Sequence, residues 1–418
     1  MGQELSANRR AVLAGTAGLG LGVAASWGGS QLTQEAHPSL EAGAEVPLAN
    51  ARVNFYGDRQ AGVDTPAPAY ASFVAVDLNS ALDREAVSRL LKILTQDAAK
   101  LCAGLAPVTD QEPELATVAA NLTVTLGFGE RIFDIVAPEK KPSWLKPLPA
   151  FEQIDRLQDS WSDGDLLIQL CADDRLTLAH AQRVLLKDIR SFGRVRWVQA
   201  GFREAYGALK EGQTMRNLFG QVDGTVNPST SDSSMDDYVW GEAEGLDPWA
   251  VGGTSLVIRR IYMNLDTWDQ ADRPAREDAI GRNLSNGAPL TGSQEYDVPD
   301  LSATNDLGFT TIAPYAHIRR ASPQSPLERI LRRGYNYELP VADASGQAGH
   351  GDIKGGISNA GLIFAAYQAD PIQQFVPIQK RLAELDMLNT WTVPIGSAVF
   401  AIPPGCAEGG FIGETLFA

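Results

Sequence analysis

One ten-residue pattern occurs twice, and it constrains the fold more than any other feature of the chain. Asp165-Leu-Leu-Ile-Gln-Leu-Cys-Ala-Asp-Asp174 sets a short apolar run before a helix-like segment, and Gly361-Leu-Ile-Phe-Ala-Ala-Tyr-Gln-Ala-Asp370 does the same. A short apolar run of that kind, closed by an acid, reads as a buried strand, and the spacing of apolar residues after it reads as an amphipathic helix. The flanking segments repeat the order as well. Ser72–Leu78, Leu122–Phe128 and Val195–Ala200 are strand-like in the first half, with helices expected from Asp83 to Leu101 and from Asp174 to Ile189. In the second half, strands are expected at Thr254–Met263, Leu362–Tyr367 and Ala398–Ile402. Helices are expected from Asp266 (as N-cap) to about Arg282 and from Pro371 to Leu385. Strand–helix–strand twice per half is the split β-α-β pattern. The expected fold is α+β: two ferredoxin-like repeats, each an antiparallel sheet with its helices outside.

The 418 residues divide on this pattern. Residues 1–30 resemble a twin-arginine export signal, with Asn8-Arg-Arg-Ala-Val-Leu-Ala14 ahead of an uncharged run from Ala11 to Ala25. Residues 31–50 are polar and small, a linker that holds His37. Residues 51–210 form the N-terminal ferredoxin-like domain, and 211–418 form the C-terminal one, with the boundary near Glu211. The net charge of −16 argues against nucleic acid and anionic membranes as partners. Three cysteines, Cys102, Cys171 and Cys406, make neither a disulfide framework nor a zinc pattern. They read as buried thiols, with one disulfide left open.

Two stretches carry chemistry. Leu218-Phe-Gly-Gln-Val-Asp-Gly-Thr-Val-Asn-Pro228 holds Asp223 between Gly220 and Gly224. Taken alone it reads as a tight turn. The glycines allow positive φ and close approach to a flat ligand, and Phe219, Val222 and Val226 promise an apolar surround for the acid. About a hundred residues later come Tyr315-Ala-His-Ile-Arg-Arg-Ala-Ser-Pro323 and Ile330-Leu-Arg-Arg-Gly-Tyr-Asn-Tyr337. The first contains His317, one of four histidines. Of the others, His180 reads as a surface or packing residue, and His350, in a Gly-rich loop, is the rival ligand.

Gly-x-x-Asp-Gly, then His-Ile-Arg, then Arg-Arg-Gly-Tyr, in that order, resembles the dye-decolorising peroxidase family. Phe55-Tyr-Gly-Asp-Arg-Gln-Ala-Gly62, Gly253–Arg260, Gly287–Gly292 and Gly361–Gln368 extend the resemblance from about Ala51 to the C-terminus, closest to the exported branch that includes deferrochelatases. The resemblance implies one non-covalent haem b per chain, held in the C-terminal half, with His317 as the axial ligand to iron. It implies Asp223 as the acid–base group and Arg332 as the cation beside it, with Arg333 as the alternative. Gly224, Thr225, Val226, Ser322, Pro323, Gln324 and Arg332 would line the haem. The exported branch often reads Asn-Pro-Arg where this chain has Ser322-Pro323-Gln324, so Arg282 or Arg319 is expected to replace a lost propionate partner. Tyr335, Tyr337 and Trp391 would relay oxidising equivalents to bulky substrates at the surface. The family's acid behind the histidine would fall at Asn359, leaving a neutral amide there.

The implied function is a haem peroxidase that uses hydrogen peroxide to oxidise dyes, phenols or similar one-electron donors. The alternative is an extracytoplasmic haem-binding deferrochelatase that releases iron from haem. The implied partners are hydrogen peroxide, a small-molecule reductant and the twin-arginine export machinery, with a homo-oligomer left open. The implied location is periplasmic, cell-surface or extracellular.

Overall fold

Apolar residues on both faces of a strand require cover on both sides, and this governs the architecture. The computed structural model of the protein describes residues 47–210, 212–228, 234–240, 247–341 and 357–418. The leader-like segment, His37, Glu211 and His350 lie outside the described residues. The first half runs β1 (Tyr70–Leu78), α1 (Arg84–Cys102), β2 (Thr123–Phe128), α2 (Glu130–Val136), β3 (Leu166–Ala172), α3 (Arg175–Ile189) and β4 (Gly193–Phe202). The second half runs α4 (Ser234–Tyr238), β5 (Thr254–Met263), α5 (Leu265–Trp268), α6 (Arg273–Ile280), α7 (His317–Ala321), β6 (Leu331–Arg332), β7 (Tyr335–Glu338), β8 (Ala360–Gln368), α8 (Phe375–Leu385) and β9 (Thr392–Ile402). A last turn, α9 (Glu414–Phe417), ends the chain.

The strand order is β2-β3-β1-β4 in the first half and β7-β8-β5-β9 in the second, all antiparallel. The two orders are the same arrangement repeated, which is what the duplicated sequence pattern calls for. The expected pair of sheets is, however, joined. Phe128 pairs with Ala401 and Phe202 with Asn336, so the sheets meet at both edges. Each edge strand thereby gains a hydrogen-bonded neighbour, which removes the hazard of open edges.

Every residue of β3 is buried. Leu166, Ile168 and Leu170 pack with α1 and α3 residues such as Leu90, Leu94, Val184 and Leu185. Leu167 and Cys171 face a second core between the sheets, with Phe73, Trp197, Tyr335, Tyr337, Tyr367 and Phe400. All three cysteines are buried free thiols, and burial pushes Cys102 up to about 12. His180 is a packing residue: its Nε2 lies 2.8 Å from Asp110 Oδ2 in the first half, away from the second-half motifs.

The expected single helix from Asp266 is broken into α5 and α6. Pro274 lacks the N–H that a continuous helix would use, so the chain restarts with Asp272 as N-cap to Ala275, while Asn264 caps α5. Asp266 lies inside α5. The long stretch between α6 and β7 carries α7, which docks on α8, and β6, which pairs with β8.

Candidate functional site

Period-two alternation decides which arginine of Arg332-Arg333 can reach the site. Leu331 packs into the core between the sheets, so Arg332 projects from the other face of β6, opposite Ala366 of β8. Its Nη1 donates to Asp223 Oδ1 at 3.0 Å. Arg333 turns inward, almost wholly buried, and its guanidinium donates to the Thr65 and Pro66 carbonyls.

Asp223 sits at the end of a short hairpin. Arg216 pairs with Val222, and the Asp223 amide donates to the Met215 carbonyl at 2.9 Å. Asn217 organises the turn: its Oδ1 accepts from the Phe219 and Gln221 amides, and its Nδ2 donates to Asp223 Oδ2 at 3.3 Å. Gly220 and Gly224 have φ of +76° and +133°, values that side chains rarely tolerate, and a Cβ on Gly224 would press on Thr214. The expected apolar surround does not form. Phe219 turns away to stack on Trp268 at 4.4 Å, Val226 is 70% exposed, and the neighbours of the Asp223 carboxylate are Arg332 and Asn217. The physical reason is the turn at Asn217–Gly220, which directs Phe219 to the Trp268 cluster instead of to the acid. Val226, being exposed, does not wall the acid. Thr225 and Thr214 both donate to Glu295 Oε1, tying this loop to the long second-half insertion.

His317 opens α7. The helix is fastened to the end of α8: Arg320 donates to the Arg381 carbonyl, Arg381 donates to the Arg320 and Ser322 carbonyls, and the Met387 amide donates to the Tyr315 carbonyl. This docking brings His317 Nδ1 to 2.6 Å from Asp386 Oδ2. Asp386 Oδ1 accepts from the Leu388 amide, so the carboxylate is held from both sides. Burial disfavours the charged ring, but Asp386 outweighs it and raises the His317 pKa; Arg332 opposes and Asp223 adds to the rise. Those last two effects place the Asp223–Arg332 pair within electrostatic reach of the imidazole. Nε2 has no hydrogen-bond partner among the described residues.

Asn359 is not the partner of His317, contrary to expectation. Its amide donates to the Pro340 carbonyl. Asp386 escaped the sequence reading because it lies 69 residues from His317 with no motif around it; the acid directly after an amphipathic helix was its only signal. Ser322 ends α7, and Pro323 and Gln324 are exposed, with the Gln324 amide on Glu328. Arg319 donates through Nε and Nη2 to the Ile312 and Leu301 carbonyls. Arg282 is buried near Arg332; burial lowers its pKa and Arg332 lowers it further, against Glu295, while Nη1 alone bonds the Gly287 and Glu295 carbonyls. Tyr335 and Tyr337 are fully buried between the sheets, so neither phenol can meet a bulky substrate; burial pushes Tyr337 up to about 12. Trp391 packs edge-on against Trp268 at 5.0 Å.

The donor set suits a haem. One imidazole is oriented through Nδ1 and free at Nε2, an acid and an arginine stand within its field, and the cluster of Ile318, Leu362, Phe364, Leu388 and Trp391 supplies apolar wall.

Two family models match the chain: Dyp-type peroxidase, N-terminal, over residues 60–203, and Dyp-type peroxidase, C-terminal, over residues 214–407. The chain belongs to the Dyp-type peroxidase family. It is 34% identical to the dye-decolorizing peroxidase of Thermobifida fusca (strain YX), over 99% of this chain and 98% of that one. It is also 34% identical to the deferrochelatase of Escherichia coli (strain UTI89 / UPEC), over 98% and 96% of the two chains. The crystal structure of a DyP-type peroxidase from Cellulomonas bogoriensis is similar with a TM-score of 0.83 and 47% identity, covering 89% of this chain and 99% of that one. This Dyp-type peroxidase is accordingly a haem enzyme with an α+β fold.

Proposed function

We propose that His317, Asp223 and Arg332 carry the peroxidase chemistry of this chain, with Asp386 behind the histidine. The observation that supports this most is the 3.0 Å pair of Arg332 and Asp223 set within the field of an imidazole whose Nδ1 is held by a carboxylate. His317 Nε2 would hold the haem, which would supply the redox chemistry between hydrogen peroxide and one-electron donors such as dyes or phenols. Asp223 removes the proton from one peroxide oxygen and returns it to the other as the O–O bond breaks. Arg332 stabilises the negative charge that grows on the leaving oxygen, and its guanidinium remains cationic throughout. Asp386 keeps the Nδ1 proton on the ring and makes the ligand more basic. Arg282 and Gly224 are the residues near the site best suited to a haem edge.

The function is tested on the haem-loaded protein with hydrogen peroxide and an anthraquinone dye, where bleaching with the porphyrin intact is expected. Iron release leaving intact protoporphyrin, without dye turnover, would favour the deferrochelatase reading, an activity named for relatives at 34% identity.

The same proposal includes export, supported by Asn8-Arg9-Arg10 ahead of an uncharged run. Changing Arg9 and Arg10 together to lysine is expected to leave folded protein in the cytoplasm. Undiminished export of that variant would remove the twin-arginine route.

A further inference from the structure

The helical layer of the first half presses two carboxyl groups together. Asp97 lies on α1 and Asp188 in the last turn of α3, and the two helices share a core of Leu90, Leu94, Leu101, Ala181, Val184 and Leu185. Asp188 Oδ2 is shut off from solvent, and no N–H or O–H donor among the described residues reaches it. The group in hydrogen-bonding contact with Asp188 is the carboxyl of Asp97. Two ionised carboxylates offer only acceptors. The contact is therefore a hydrogen bond only while one of the two holds a proton.

The charges around the pair do not replace that proton. Lys187, the cation that Asp188 feels, is shared with Glu112 at 3.3 Å, and Arg183 also bonds Glu112, at 2.7 Å. Asp97 feels Lys100 on its own helix and bonds Thr109 in the loop after α1, while Asp110 in that loop adds negative charge beside it. Asp110 is itself committed: Oδ1 accepts from the Glu112 amide at 3.1 Å, and Oδ2 lies 2.8 Å from His180 Nε2. Burial, and after it the charge of Asp97, pushes Asp188 up to about 7 against the pull of Lys187. Burial also raises Asp97, against Lys100, Asp188 and Thr109. Two carboxyls in contact cannot both ionise at ordinary carboxylate pH, so one keeps its proton.

We propose that Asp97 and Asp188 share a single proton that latches α1 to α3, so that the helical layer of the first half tightens in acid and loosens when that proton is lost. In the unfolded chain both acids ionise near about 4. In the folded chain the pair keeps one proton until about pH 7. The folded state thus binds the extra proton between those values, and its stability falls as pH rises through that window and levels off above it. The latch belongs to the first half, whereas the residues assigned to the peroxide reaction belong to the second.

The test follows amide hydrogen exchange in the haem-loaded full chain at about pH 5 and about pH 8, each rate normalised to that of the unfolded peptide at the same pH. Protection of the α1 and α3 amides is expected to fall about tenfold over that interval in the parent. It is expected to hold in Asp188→Asn, whose side-chain amide donates to the Asp97 carboxylate at either pH. The infrared carbonyl stretch of one protonated carboxylic acid is expected in the parent at about pH 6 and is expected to be absent from Asp188→Asn, with the Soret band unchanged. Flat protection in the parent, a fall in Asp188→Asn equal to that of the parent, or a protonated-acid band that survives in the variant each overturns the latch. His180→Gln removes the other titratable group that faces this loop and is expected to keep the fall; its disappearance there would move the switch to the His180–Asp110 pair and overturn the proposal. Should Asp188→Asn not fold, Asp97→Asn places the donating amide on the other helix and is expected to hold its protection, and a fall there equal to that of the parent also overturns the latch.

Discussion

Asp223→Asn and Arg332→Leu are each expected to retain haem and to slow the reaction with hydrogen peroxide by about 10² to 10⁴. Asparagine keeps the hydrogen bond from Arg332 Nη1 but cannot cycle a proton. Leucine leaves Asp223 without its 3.0 Å partner and removes the cation beside the leaving oxygen. Stopped-flow absorbance of the haem-loaded variants measures both. Arg333→Leu is the control. Its guanidinium serves the Thr65 and Pro66 carbonyls inside the sheet pair, so the loss there should appear in thermal stability and not in the peroxide step. A slow peroxide reaction in Arg333→Leu with a normal one in Arg332→Leu would reverse the assignment.

His317→Ala is expected to abolish stoichiometric haem uptake, read as loss of the Soret band at one equivalent of added haem. Alanine removes the Nε2 donor, and no other histidine among the described residues replaces it: His180 is buried in the first half against Asp110. A Soret spectrum unchanged from the parent would refute the ligand and turn attention to His350. The partner of His317 can be tested separately. Asp386→Asn keeps one carbonyl oxygen that can accept from Nδ1 in place of Oδ2, at the loss of the Leu388 amide bond, and the neutral group pulls the ring proton less, so the ferric/ferrous potential should rise. Asn359→Asp should leave the potential where it is, because Asn359 bonds the Pro340 carbonyl and not the histidine. A fall in potential in Asn359→Asp with none of the expected rise in Asp386→Asn would restore the reading from sequence.

Much of the site was legible locally. The Gly-flanked Asp223 announced a turn with positive φ at both glycines, because that demand is met by residues adjacent in the chain. The order of the motifs was enough to propose His317 and Arg332. The errors share one cause. Asp386 in place of Asn359 and the exposure of Val226 both depend on which segments dock together, and no short-range pattern records that. The helix expected from Asp266 failed for a local reason that was present in the sequence, since Pro274 stops continuation and Asp272 restarts it.

By itself the sequence determined the duplicated strand–helix order, and with it two repeats of the same strand arrangement, because period-two and period-3.6 burial are written in neighbouring residues. It also supplied the motifs on which the proposal of Asp223 and His317 rests. Only the tertiary structure decided that the two sheets join at both edges, through Phe128–Ala401 and Phe202–Asn336. Alternation says that Arg332 and Arg333 point to opposite faces, but only the pairing of β6 with β8 says which face is the site. The partner of His317 is likewise a product of docking. The hydrogen bond between them exists because α7 is pinned to the end of α8 by Arg320 and Arg381, contacts between residues about sixty positions apart.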